Sequence, residues 1–172
     1  MADEWAFRAS TPGDAHWMAE LRAVVMRPDL ERLGRFDAHR VRQRFLDAFV
    51  PEHTRVIQSP DHTRHIQSGV RELGLVALRP EQDALWIEHF YLAPTHQGRG
   101  IGADVLAQIM CEGDGTRPFR LNVLQGSPAR RLYERHGFVL DHEDAVDVYL
   151  EAPPRPSAGP HRHEGPAAGS AV

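Results

Sequence analysis

The chain has 172 residues, with 24 acidic residues against 20 arginines and a formal net charge of −4. This balance argues against a nucleic-acid partner, because general nucleic-acid binding needs a clustered basic surface. Lysine is absent, which excludes Schiff-base chemistry and a Walker-type phosphate loop, and a single cysteine excludes an intramolecular disulfide.

Composition also predicts the location and the domain plan. The N-terminus lacks the basic and apolar segments of a signal peptide, and no apolar run approaches membrane-spanning length. With a single cysteine, these features predict a cytoplasmic protein without a membrane partner. Residues 1–151 are predicted to form one domain, and the Pro-, Gly- and Ala-rich residues 152–172 a disordered tail. His161 and His163 in that tail lack further ligands, so no metal site is predicted.

The first third of the chain predicts one strand and two helices. Residues 5–10 have the composition of a strand, and the turn after it leads into a helix with apolar residues at helical spacing from Trp17 onward. Pro28 is expected to end this helix, because proline disfavours helical geometry in the residue before it. Residues 29–36 are then an irregular connection, and Asp37 caps a second helix.

The rest of the chain predicts six strands and two further helices. One helix follows a glycine-rich loop, and the other starts at a Ser127 cap with Pro128 in its first turn and stops at Gly137. The strands are predicted at residues 54–58, 70–78, 84–92, 119–124, 138–140 and 146–150. The element order is β-α-α-β-β-β-α-β-α-β-β, which indicates an α/β fold with a mixed central sheet.

The glycine-rich loop carries the clearest functional signal. Three glycines alternate with other residues where a helix must begin, which lets a ligand approach the main chain closely. The unpaired N–H groups of a helix N-terminus favour a bound anion, so the loop predicts a phosphate site. Its residues are Gln97, Gly98, Arg99, Gly100, Ile101 and Gly102.

The loop also fits the dinucleotide fingerprint GxGxxG/A literally, but its context does not. Five residues separate the glycines from the preceding strand, and the next strand ends in Gln125 where an acidic residue would bind a ribose. No βαβ unit precedes the loop. A nicotinamide-dependent oxidoreductase is therefore rejected.

The same residues resemble the Q/R-x-x-G-x-G/A motif of the GNAT superfamily of acyl-CoA-dependent N-acetyltransferases. The preceding residues 91–94 resemble its YV-x-P approach to the loop, and residues 128–138 resemble its A-x-x-LYE-x-x-GF signature. Element order and spacing agree with that superfamily over residues 5–150. The N-terminal region resembles a bacterial branch with mostly unassigned substrates.

The resemblance implies a GNAT-like sheet with splayed central strands and acetyl-CoA between them. The pantetheine arm would then pair with backbone groups near Phe90, Tyr91 and Leu92, and residues 97–102 would hold the pyrophosphate. Arg99 and Arg130 are candidates for further charge on the phosphates, although exposed helix arginines are an equal explanation. The branch that the chain resembles usually has Asn where Ser127 stands, so an amide contact to the cofactor would be lost or shortened.

Two residues are candidate catalysts. Tyr133 matches the superfamily's tyrosine that acts as general acid toward the thiolate, although a packed helix aromatic is the structural alternative. Glu88 is the candidate base, directly or through water, because a carboxylate within an apolar strand calls for an explanation, although a structural hydrogen-bond or ion-pair acceptor is an equal explanation. It is predicted to share a face with Trp86 and Phe90, and His89 is the substitute candidate if a bulge turns it to that face.

The predicted function is transfer of an acetyl group from acetyl-CoA to a primary amine by direct attack. The acceptor, a small molecule or a peptide, is expected to meet the two N-terminal helices and the loops at residues 28–36 and 49–53. The alternative is a catalytically idle acyl-CoA-binding regulatory module on the same fold. A homodimer is compatible with the sequence, but no specific stretch predicts one.

Overall fold

A computed structural model describes residues 4–59 and 71–155. Its strands are β1 (Ala6–Ala9), β2 (Thr54–Gln58), β3 (Glu72–Pro80), β4 (Leu85–Leu92), β5 (Phe119–Leu124), β6 (Val139–Glu143) and β7 (Asp147–Ala152). Its α-helices are α1 (Ala15–Arg32), α2 (Ala38–Ala48), α3 (Ile101–Cys111) and α4 (Arg130–Arg135). The predicted order of elements is therefore confirmed. The connection between the strands predicted at residues 54–58 and 70–78 lies mostly outside the described residues, as does the tail beyond residue 155.

The strands form one mixed sheet in the order β1-β2-β3-β4-β5-β7-β6. Strands β4 and β5 are its parallel pair, and the other neighbours are antiparallel. The parallel pair is connected through α3, as a crossover requires. This is the predicted α/β class.

The two central strands separate soon after they meet. They pair only at Leu85 with Phe119 and at Trp86 with Arg120, although β4 continues to Leu92 and β5 to Leu124. Beyond Trp86 the facing edges of β4 and β5 diverge and leave a gap in the middle of the sheet. The splay that the family resemblance implied is present.

Helices cover both faces of the sheet and enclose two hydrophobic clusters. Met18 and Phe45 from α1 and α2 pack against Val56 and Leu75 on one face. The other cluster joins α3 and α4 to the opposite face, with Ile101, Val105, Leu106, Ile109, Tyr133 and Phe138 among its members. The gap between β4 and β5 therefore connects two faces that are each lined by a different helix pair.

The predicted end of the first helix is wrong. Helix α1 continues through Pro28 to Arg32, so residues 29–32 are helical and not an irregular connection. Proline removes one donor, which leaves the carbonyl of Val24 without its usual partner. Val24 is 54% exposed, so water can satisfy that carbonyl. The longer helix brings Asp29 over the sheet gap.

Helix α1 is fixed to the sheet at its start. The buried Asp14 carboxylate accepts hydrogen bonds from Arg8, Thr11 and Trp17. The Arg8 bond is the main cause that holds the pKa of Asp14 well below its usual range. This anchor sets the position from which α1 crosses the gap.

Two boundaries at the C-terminal side also differ from the expected ones. Helix α4 begins at Arg130, after a turn that contains Ser127 and Pro128, and Gly137 follows it at a φ of +90°. Ala152 is buried as the last residue of β7, and Arg155 donates to the carbonyl of His136 over 2.8 Å. Ordered contacts thus extend past the boundary predicted at residue 151. No helix in the described ranges is long and apolar enough to cross a membrane.

Candidate active site

A cavity of about 240 Å³ occupies the gap between the diverging strands. Helix α1 supplies one wall through Arg22, Val25, Met26 and Asp29, and α4 with its preceding turn supplies another through Ser127, Ala129 and Tyr133. The sheet supplies Ile87, Glu88, His89, Phe90 and Tyr91 from β4, Asn122, Val123 and Leu124 from β5, and Asp147 from β7. Both predicted catalytic residues, on different elements, therefore line one cavity.

A bulge in β4 shapes the floor of this cavity. The register with β3 passes from Ala77–Glu88 to Leu75–Tyr91, so β4 carries one extra residue. His89 adopts a φ of +49° there, a left-handed conformation that non-glycine residues seldom adopt. The bulge also breaks the alternation of the strand.

The predicted shared face of Glu88 and Phe90 is wrong because of this bulge. Phe90 packs with the α3 side cluster, whereas the His89 ring lies against Phe45 of α2 at a centroid distance of 4.9 Å. The bulge thus turns the His89 ring to the α1–α2 side. His89 is the residue that was expected to be the substitute candidate for the base. Its Nε2 atom is buried without a hydrogen-bond partner among the described residues. Burial lowers the pKa of His89 to about 4, with a smaller effect from Arg22 in the same direction.

Glu88 is held by one arginine through one oxygen. Arg79 donates to Glu88 Oε1 from Nη2 over 2.9 Å and from Nε over 3.1 Å. The side chain of Glu88 is 30% exposed. Its Oε2 atom has no hydrogen-bond partner in the described ranges, so one carboxylate oxygen is available toward the cavity.

Tyr133 lies on the opposite side of the gap. It is 6% exposed and packs edge-on against Phe138, with ring centroids 5.7 Å apart. Burial raises the pKa of the Tyr133 hydroxyl above its usual value, and Tyr91 adds to the effect. The hydroxyl is therefore protonated at neutral pH, and it has no hydrogen-bond partner among residues that the structure describes.

The glycine loop leads into α3, and two amides at the start of this helix are unpaired within the described chain. Gly98 and Gly100 have φ angles of +73° and +89°, which residues with an L side chain rarely adopt. A Cβ added at either glycine would have no other atom within 4 Å. Gly100 caps α3, and its carbonyl accepts from Ala103 and Asp104. The N–H groups of Ile101 and Gly102 have no acceptor within the described chain, as expected for a first helical turn.

The other predicted cofactor residues differ in their surroundings. Gln97 Nε2 donates to the carbonyl of Leu92 over 2.9 Å, which fixes the loop against the end of β4. Ser127 lines the cavity, but its Oγ accepts from the Ala129 N–H only over a long 3.4 Å. Arg130 is paired with Glu134 over 2.7 Å, and Arg99 is exposed at the loop.

Sequence analysis did not single out Arg22 and Met26. They stand one helical turn apart on α1, where the sequence signal was an apolar stripe, and both face the gap. Asp29 lies within residues 28–36, the segment that was expected to meet the acceptor. The loop at residues 49–53, expected near the acceptor, contributes nothing to this cavity.

Comparisons with known proteins agree with this geometry. A family model described as an acetyltransferase (GNAT) domain matches residues 61–140. No curated protein matches the chain. Solved structures that do match include a PaiA N-acetyltransferase from Thermoplasma acidophilum in complex with coenzyme A. The TM-score is 0.65 at 17% identity, over 87% of this chain and 99% of that one.

Two further structures show the same fold at similar distance. An N-acetyltransferase from Staphylococcus aureus Mu50 has a TM-score of 0.60 at 17% identity, over 86% of this chain and 100% of that one. An N-acetylglutamate synthase from Neisseria gonorrhoeae, complexed with coenzyme A and L-arginine, has a TM-score of 0.58 at 17% identity. That match covers 87% of this chain and 33% of the longer protein.

These matches bear out the family expected from the sequence motifs. The domain match covers the glycine loop and Tyr133, and the fold agrees over most of the chain. The two loop amides and the open edge of β4 suit acetyl-CoA as co-substrate. Residues 61–140 are similar to a GNAT acetyltransferase domain, and the chain shares the fold of the N-acetyltransferases that it matches.

Proposed function

We propose that this protein transfers an acetyl group from acetyl-CoA to a primary amine by direct attack. The observation that carries the proposal is the position of the cavity. It lies where β4 and β5 diverge, with Tyr133 on the α4 side and Glu88 and His89 on the α1 side. A thioester entering from one side and an amine from the other would meet in this gap.

The cofactor is assigned to the α3–α4 side. Residues 97–102 bind the pyrophosphate through the free amides at the start of α3, where the helix dipole favours an anion. The β4 edge at Phe90, Tyr91 and Leu92 faces the gap without a β5 partner and pairs with the pantetheine arm. Ser127 lies beside that arm, and Arg130 adds positive charge near the phosphates.

Tyr133 is assigned as the general acid. The amine lone pair forms a C–N bond with the acetyl carbon, and the C–S bond breaks to release the CoA thiolate. A buried tyrosine with a raised pKa holds its proton at neutral pH and can donate it to the sulfur. The absence of a hydrogen-bond partner within the described residues leaves this hydroxyl available for that donation.

Glu88 is assigned as the general base, acting directly or through water. The amine is mostly ammonium at neutral pH and must lose a proton before attack. Arg79 donates to the Glu88 carboxylate at Oε1, so Oε2 can accept that proton. His89 is the substitute base, since the bulge turns its ring to the same side and its Nε2 atom has no partner in the described chain.

An acceptor screen distinguishes this proposal from an idle acyl-CoA-binding module. Purified protein, acetyl-CoA and a library of small amines and peptides would be followed by release of free CoA thiol. Mass spectrometry would then detect the acetylated product. We expect catalytic turnover with at least one primary amine. Tight acetyl-CoA binding without turnover of any amine would contradict the proposal and favour the idle module.

A further inference from the structure

Arg22 lines the cavity and has no charged partner in the described part of the chain. It lies on α1, one helical turn before Met26, and its exposure is intermediate. Its Nε donates only to the Met26 sulfur over 3.2 Å, and a thioether is a weak acceptor. Neither terminal nitrogen of Arg22 has a hydrogen-bond or carboxylate partner among the described residues.

This situation distinguishes Arg22 from similar arginines in the described part of the chain. Every other arginine of intermediate exposure there donates to a carboxylate or carbonyl oxygen, as Arg42 does to Glu20 and Arg55 to Glu112. A guanidinium loses favourable hydration in a cavity, and it is normally compensated by an anion. The missing compensation at Arg22 points to a bound ligand.

None of the described acidic residues of the cavity pairs with Arg22. Asp29 is paired with Arg32 over 2.9 Å, and Glu88 is paired with Arg79. Asp147, on β7, accepts from Asn122 over 2.8 Å and forms no ion pair with a described arginine. Among the described residues, the cavity thus offers one unmatched positive charge, at Arg22, and one unmatched negative charge, at Asp147.

Arg22 lies on the acceptor side of the gap. The Tyr91 hydroxyl contacts the same Met26 sulfur over 3.5 Å, so Arg22, Met26 and Tyr91 form one contact chain between α1 and β4. The Arg22 charge also lowers the pKa of His89. The proposed phosphate-binding loop opens α3, which covers the opposite face of the sheet, so the anion near Arg22 is not a coenzyme A phosphate.

We propose that the amine acceptor carries a carboxylate, and that Arg22 binds this carboxylate through its two terminal nitrogens. The inference rests on the proposed amine acetylation and names the class of its acceptor. A planar guanidinium with two free N–H donors matches the two oxygens of a carboxylate. The acceptor is a zwitterion of amino-acid type, whose ammonium end is favoured by the negative charges of Asp147 and Glu88.

Matched acceptors test the assignment. Each amino acid of a panel is compared with its own carboxamide and with its aminophosphonate analogue, by release of CoA thiol and by mass of the product. The variants are Arg22→Gln and Arg22→Lys, and the control is Arg44→Gln, at an exposed position on α2. Thermal unfolding midpoints confirm that each variant is folded.

We expect the carboxylate member to be preferred over its carboxamide by about 10- to 100-fold in kcat/KM, the range for a hydrogen bond to a charged group. Arg22→Gln should lower kcat/KM for the carboxylate far more than for the carboxamide and so remove this preference, and Arg22→Lys should restore part of it. Equal use of both members by the unchanged protein would overturn the proposal. An equal loss for both members in Arg22→Gln would also overturn it, and preference for the phosphonate would refute the carboxylate assignment.

A binding measurement separates this proposal from the proposed function. Calorimetric titration of N-acetyl amino acids and their carboxamides into the CoA-bound protein requires no turnover. Tighter binding of the carboxylate, lost in Arg22→Gln, supports the anion site even if no amine is acetylated. Equal binding of both members overturns the anion site even if amines are acetylated.

Discussion

Arg79 donates two hydrogen bonds to the same oxygen of Glu88. Both Nη2 and Nε reach Oε1, over 2.9 and 3.1 Å, and leave Oε2 without a partner in the described chain. Arg79 also contacts Glu81 on the adjacent turn. This pairing fixes the position of the carboxylate at the edge of the cavity while one oxygen stays available to an incoming amine.

Substitution of the candidate base should slow the chemical step. In Glu88→Gln, the amide cannot accept a proton, so kcat should fall by about 100-fold or more, the usual contribution of a positioned base. Acetyl-CoA affinity should be unchanged. Glu81→Gln removes the other Arg79 partner outside the cavity and should leave kcat unaltered. Steady-state kinetics with calorimetry would check this, and equal rates for both variants would exclude Glu88 as the base.

The buried histidine should make folding stability depend on pH. The folded-state pKa of His89 is about 4, below the ordinary value of 6.5, so the unfolded chain binds the proton more readily. The contribution of His89 to the free energy of unfolding is present above pH 6.5 and is lost as the pH falls toward 4. Between pH 7 and pH 5 the free energy of unfolding should fall by about 2 kcal/mol.

His89→Asn tests this contribution, because asparagine does not titrate and tolerates the left-handed conformation. Urea unfolding at pH 7 and pH 5 should show a smaller loss of stability in this variant than in the unchanged protein. His16→Gln, at an exposed position in the first turn of α1, should behave like the unchanged protein. An identical pH dependence in His89→Asn would show that His89 is not the source.

The loop glycine before α3 should matter for both stability and cofactor binding. Gly100→Ala forces a side chain into a φ of +89°, which costs about 1–2 kcal/mol. It also disturbs the amides proposed to hold the pyrophosphate, so acetyl-CoA affinity should fall. Gly34→Ala, at a φ of +66° away from the loop, should cost similar stability without a loss of affinity. Calorimetric titration would measure the acetyl-CoA affinity of both variants, and urea unfolding would measure their stability. Equal acetyl-CoA affinities of Gly100→Ala and Gly34→Ala would contradict the loop assignment.

Much of the fold could be predicted from local sequence patterns. Periodicity and turn residues predicted the order of strands and helices, because each element buries one face of its own residues. The Asp37 cap is an example, since its side chain accepts from the Arg40 N–H over 2.9 Å. The glycine loop and Tyr133 lie within linear motifs, so the family could be identified before the structure.

Features that depend on distant contacts could not be predicted. Whether Pro28 ends α1 depends on whether the freed Val24 carbonyl meets water, which requires the tertiary fold. The bulge at His89 depends on the pairing of β4 with β3. Arg22 belongs to an otherwise apolar helix stripe, and only the splay of the sheet shows that it faces a cavity.

Tyr133→Phe tests whether a tyrosine donates a proton to the leaving thiolate during acetyl transfer. Phenylalanine keeps the packing against Phe138 and removes only the hydroxyl. With an accepted amine, we expect kcat to fall by about 100-fold or more while acetyl-CoA affinity is retained. Tyr149→Phe, outside the cavity, serves as the control. Unchanged acetyl-CoA turnover in Tyr133→Phe would contradict the account.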